Sequence, residues 1–158
     1  MTSEYKASYV SALPLDLAWK MAKQASCDKL LLKVLPTYFA SIEVLEGGAG
    51  VGTVRVVTLG EGVGPQGAGQ KVKEHVDVVD DATHTISYAV VEGGDPRYTS
   101  VRFTIKFSAA GESSTIDWTV NYTPIDASVP PPDHYKGMAE AVNKAMDTYG
   151  KEHTAEFA

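Results

Sequence analysis

The sequence predicts an α+β protein, with one antiparallel sheet covered by a long C-terminal helix. Two observations predict it. Apolar residues recur with a period of two from Tyr38 to Thr123, and then at spacings of three and four from Tyr135 to Tyr149. Alternation this regular marks an antiparallel sheet that is wet on one face and covered on the other.

The elements follow in order. "EYKASYVSA" alternates until Pro14, so residues 4–12 read as a strand. "PLDLAWKMAKQA" places Pro14 at the first helical position and puts Leu15, Ala18, Trp19 and Ala22 on one face. A short helix runs from about Asp28, with Cys27 at its start, until Pro36 closes it. From Tyr38 the pattern puts Tyr38, Ala40, Ile42 and Val44 on one face and Phe39, Ser41, Glu43 and Leu45 on the other. Further alternating runs hold Val72, Val76 and Val78, then Ile86, Tyr88 and Val90, then Val101, Phe103, Ile105 and Phe107, then Ile116, Trp118, Val120 and Tyr122. "VDDATH", "EGGDPR" and "AAGES" supply the turns between them. The last helix presents Tyr135, Met138, Val142, Ala145, Met146 and Tyr149 on one stripe.

At 158 residues the chain fits one domain, residues 1–158, and no linker or repeat divides it. The formal net charge of -6 excludes a general electrostatic grip on DNA or anionic membrane. The N-terminus has no apolar signal segment, no long apolar run exists, and the single cysteine cannot form an internal disulfide, so a cytoplasmic location is the expectation.

Several motifs invite chemistry. "EGGAGVG" at 46–52 has the outer spacing of a phosphate loop in Gly47 and Gly52, but Thr53 and Val54 follow where Lys and Ser or Thr belong. Thr53 also stands at the third glycine position of the dinucleotide pattern, and "TVRVVTL" continues as a strand rather than a helix. His75, His84, His134 and His153 are dispersed and read as surface residues, so no metal, cofactor or catalytic set is expected.

"EGGAGVGTVR", "VKEHVDVVDD", "ISYAVVEGGD" and the helix start at Pro14 together resemble the Bet v 1-like family of plant pathogenesis-related class 10 proteins, over essentially the whole chain. That family is related to the START and abscisic acid receptor superfamily. The resemblance implies a helix-grip fold: a seven-stranded curved antiparallel sheet around a long C-terminal helix, with two short helices, enclosing a hydrophobic cavity. It also implies an intracellular plant protein that holds small amphipathic metabolites or hormones, cytokinin-like or flavonoid-like, for storage, transport or defence signalling. A small hydrophobic or amphipathic ligand is thus the expected partner; no protein partner can be named.

Combined with strand parity, the resemblance names a ligand-binding lining. It comprises Arg55, Val57 and Leu59, then Val72, Glu74, Val76 and Val78, then Ile86, Tyr88 and Val90. Phe103, Phe107, Trp118 and Tyr122 follow from the later strands, and Tyr135, Met138 and Val142 from the last helix. Arg55 and Glu74 are expected to face each other across adjacent strands; they either offer a polar anchor to the ligand or satisfy each other.

The resemblance carries three other readings. "GEGVGPQG" at 60–67 and "EGGDPRY" at 92–98 stand where abscisic acid receptors have gate and latch, and read as lips of the cavity with Gly62, Gly64 and Gly67 allowing mobility. Ala40 occupies the place of those receptors' hormone-binding lysine, which argues against that reading. A weak ribonuclease would use Asp147 and Tyr149, with no clear sheet glutamate near Thr99 to join them. The condensing enzymes of alkaloid synthesis need a lysine that "SSTIDWTVNYT" lacks.

Overall fold

The computed structural model describes residues 2–65 and 67–157. Its order is β1 (Ser3–Ser11), α1 (Leu15–Cys27), α2 (Leu30–Val34), β2 (Phe39–Glu46), β3 (Val54–Leu59), β4 (Lys71–Asp80), β5 (Thr85–Gly93), β6 (Tyr98–Ala110), β7 (Ser113–Pro124) and α3 (His134–Glu152). The seven strands form one antiparallel sheet in the order β1-β7-β6-β5-β4-β3-β2. Helix α3 packs along the inner face beside β1, and α1 closes the sheet near β6.

Local chemistry sets the boundaries. Pro14 is the N-cap rather than the first helical residue, and its carbonyl accepts from Ala18 N at 3.0 Å. Cys27 ends α1 instead of starting α2; Asp28 Oδ1 then accepts from Leu30 N at 2.7 Å and turns the chain into α2. Between β6 and β7 the tight turn at Gly111 and Glu112 joins the longest ladder of the sheet, Tyr98↔Pro124 to Ala110↔Ser113.

Two bulges break the expected parity. In β2 the register shifts between Phe39 and Ser41, so Phe39 and Ile42 are both buried while Ala40 is exposed. In β4 the shift between Val76 and Val78 turns Val78 outward, at 39% exposure, and brings Val79 against the core. Val78 is therefore not an inward residue: one extra residue flips every side chain beyond it.

On α3 the buried stripe is Tyr135, Ala139, Asn143, Met146, Asp147 and Gly150, with Met138 and Val142 half-buried beside it. Tyr149 lies at its edge. Helical spacing located the face, but the polar residues on it were invisible to an apolar count.

Candidate ligand-binding cavity

Sheet and helices enclose a cavity of about 760 Å³, within the range of small-molecule sites. Its walls come from α1 (Ala18, Met21, Ala22), the middle of the sheet and α3. Fourteen of the sequence-derived residues line it, among them Arg55, Val57, Leu59, Glu74, Tyr88, Val90, Phe103, Trp118, Tyr135, Met138 and Val142. Val72, Ile86 and Phe107 complete the fourteen.

Two others are buried but off the wall. Val76 is sealed in the sheet near the glycine-rich loop, where its backbone bonds Gly52 and Thr53. Tyr122 meets Tyr98 edge-on at 5.5 Å. Both have the inward parity, yet neither side chain borders the cavity.

Arg55 and Glu74 are cross-strand partners, with Nε 3.1 Å from Oε1. Arg55 Nη1 also donates to the carbonyls of Ala25 (2.6 Å) and Asp28 (3.0 Å). The guanidinium thus satisfies carbonyls left open at the end of α1, where a positive charge also suits the helix dipole. Burial pushes the Glu74 carboxyl above its ordinary value, and Arg55 opposes that rise. Of this pair, Glu74 is the member that remains available to a guest.

An aromatic run continues from there. Tyr88 stacks on Phe103 at 5.0 Å, and Phe103 meets Tyr135 (5.0 Å) and Trp118 (6.2 Å) edge-on. Burial drives the phenol pKa values of Tyr88 and Tyr135 upward, so both stay neutral donors. Neither hydroxyl has a hydrogen-bond partner among the described residues. Trp118 Nε1 is likewise buried and unpartnered among them.

The two loops do border the cavity, through Val63 and Gly67 on one side and Gly93 to Asp95 on the other, with Gln66 outside the described residues. The role expected for Gly62 changes. It donates to Thr37 O at 2.7 Å, and a Cβ there would lie 2.7 Å from the Tyr38 ring. This glycine permits close packing rather than motion. Opposite, Arg97 forks onto Asp95, and His134 lies against Tyr135 at 4.3 Å with its pKa lowered by burial.

His134 is exposed, as expected, at the cavity rim, whereas His84, edge-on to Trp19 at 5.3 Å, is half-buried, as is His75. Among the described residues no group of three or more His, Cys, Asp or Glu is placed to hold a metal. In the glycine-rich loop, Gly48 N donates to Thr53 Oγ1, which closes the loop on itself, and Gly52 N donates to Val76 O, which ties it to β4. Cys27 is buried, and burial pushes its thiol pKa up, the opposite of an activated nucleophile.

Asp147 and Tyr149 are not brought together. Asp147 is buried and accepts from Tyr9 Oη (3.1 Å), Ser11 Oγ (2.5 Å) and Ala12 N (3.0 Å). Tyr149 stacks on His153 at 4.0 Å and donates to Glu156. No lysine lines the cavity among the described residues.

A family model for the pathogenesis-related protein Bet v 1 family matches residues 18–152. The chain belongs to that family. Major pollen allergen Cor a 1 of Corylus avellana is 36% identical over 144 residues, covering 82% of each chain. The probable intracellular pathogenesis-related protein T1 of Catharanthus roseus is 30% identical over 130 residues, 81% of this chain and 73% of the relative. Among solved structures, norcoclaurine synthase from Thalictrum flavum superposes with a TM-score of 0.79 at 25% identity, covering 97% of this chain and 88% of the other. This Bet v 1 family member therefore has the helix-grip fold and a general role in small-ligand binding and defence. No helix of its described residues is long and apolar enough to cross a membrane.

Proposed function

We propose that this Bet v 1 family protein is an intracellular plant carrier, a single domain over 1–158, that holds one amphipathic metabolite or hormone of the cytokinin or flavonoid kind. The observation that carries this reading is a 760 Å³ cavity in which Glu74, Tyr88 and Tyr135 stand together without a full set of partners. A flat aromatic ligand fits the Phe103 and Trp118 walls, and its N–H or O–H donors meet Glu74. The relative named as intracellular supports the location.

A carboxylate-bearing hormone suits this site less, because Arg55 already serves Ala25, Asp28 and Glu74. For a ribonuclease, Asp147 is saturated by the protein's own donors and Tyr149 points elsewhere.

Anilinonaphthalene sulfonate displacement by a panel of cytokinins and flavonoids tests the reading. Trp118 provides a second signal: it lines the cavity, whereas Trp19 Nε1 is bonded to Asp81. In Trp19→Phe, ligand addition should quench the remaining indole emission in step with probe displacement. Absence of probe binding, or probe binding that no member of the panel reverses, would sink the carrier function.

A further inference from the structure

Helix α3 turns three polar groups inward along one row, Tyr135, Asn143 and Asp147. Asp147 is engaged by Tyr9, Ser11 and Ala12. Asn143 differs. It is 5% exposed and lines the cavity, and its Nδ2 donates to the Ala139 carbonyl at 2.8 Å. A backbone carbonyl only accepts, so nitrogen must be the atom that faces it; the amide orientation follows from chemistry. The other atom, Oδ1, accepts no hydrogen bond from any described residue.

Among the described residues only Trp118 Nε1 is both fully buried and unpartnered, so Asn143 Oδ1 opens onto the cavity, and an aliphatic side chain between Val142 and Met146 would bring no such acceptor to its wall. Asn143 therefore has a use beyond packing. It stands eight residues beyond Tyr135, a rise of about 12 Å along the helix. The cavity thus has two polar poles: Glu74, Tyr88 and Tyr135 toward the loops, and Asn143 further in, with apolar and aromatic wall between them.

Resting on the carrier reading, we propose that Asn143 is a specificity-determining anchor that selects ligands bearing a hydroxyl or N–H donor at the end remote from the Glu74 pole. The ligand class is a rigid, elongated molecule with a polar group at each end. Ligands with one polar end bind through the first pole alone and leave Oδ1 unmet.

A matched pair of probes tests this: a stilbene with a para-hydroxyl on each ring, and the same stilbene with one hydroxyl removed. Wild-type protein should bind the two-ended probe roughly five- to tenfold more tightly, the value of one net hydrogen bond. In Asn143→Leu the preference should vanish, with the one-ended probe held as tightly as before. Asn143→Ala removes the same oxygen without adding bulk and should give the same ratio, with circular dichroism verifying both folds. An unchanged preference in both variants overturns the proposal and leaves the carrier function standing. So does wild-type binding of anilinonaphthalene sulfonate but of neither stilbene. If wild type binds none of the three, the carrier function fails and this inference with it.

Discussion

Arg55 gathers three acceptors at one side chain, and each would be left unpaired without it. Arg55→Met should therefore cost about 3–5 kcal/mol in urea unfolding, as expected for breaking one side of a buried pair. Asp147→Ala strands the Tyr9, Ser11 and Ala12 donors and should cost roughly 2–4 kcal/mol by the same measurement. Glu74 makes a pH prediction. Its carboxyl is raised by burial above the reference 4.5, so its contribution to stability is full below that value and is lost as pH rises through the folded pKa. Thermal melts across that window should favour Glu74→Gln progressively over wild type as pH increases; a pH-independent difference would show the charge is not held in a desolvated site. The cross-strand facing of Arg55 and Glu74 was legible in the sequence, because two charges on an apolar face need each other. The carbonyls of Ala25 and Asp28 were not legible, since backbone acceptors leave no mark in a side-chain pattern.

At the scale of elements, strand identity was legible from alternation and was lost only where a bulge adds a residue. Phe39 and Val78 are the two cases, one brought inward and one turned out. Nothing in "YFAS" or "VDVVDD" announces the bulge, which depends on how the partner strand approaches. Turns behave in a related way. Gly93 has φ +78 and sits so close to β4 that a Cβ would lie 2.1 Å from Lys71 O, whereas Gly111 has φ +66 with open space around it. Asparagine tolerates the left-handed backbone but still carries a Cβ. Gly111→Asn should thus cost under about 1 kcal/mol, whereas Gly93→Asn should cost over about 2 kcal/mol. Chemical denaturation would separate them, and equal costs would mean the β4–β5 approach is looser than described.

For the whole molecule, the cavity is a deliberate defect in packing, because a space of 760 Å³ forgoes contacts that a filled core would make. A ligand that fills it must stabilise the fold. At a hundred times its dissociation constant the gain is about 2.7 kcal/mol, or roughly 5–11 °C in melting temperature for a chain of this size. Differential scanning fluorimetry with a bound cytokinin or flavonoid should show a shift of that order. It should shrink in Glu74→Gln for ligands whose donors meet the carboxylate. The sequence by itself determined the order of elements, the antiparallel sheet, the covering helix and the family, because these rest on periodicity and on short motifs that survive in one dimension. Tertiary structure alone decided which inward residues border empty space and which are sealed, as Val76 and Tyr122 are. It also decided that Arg55 serves the end of α1 while Asn143 keeps an acceptor that no described residue meets. Those outcomes depend on where several elements fail to touch, and a void has no residues of its own to read.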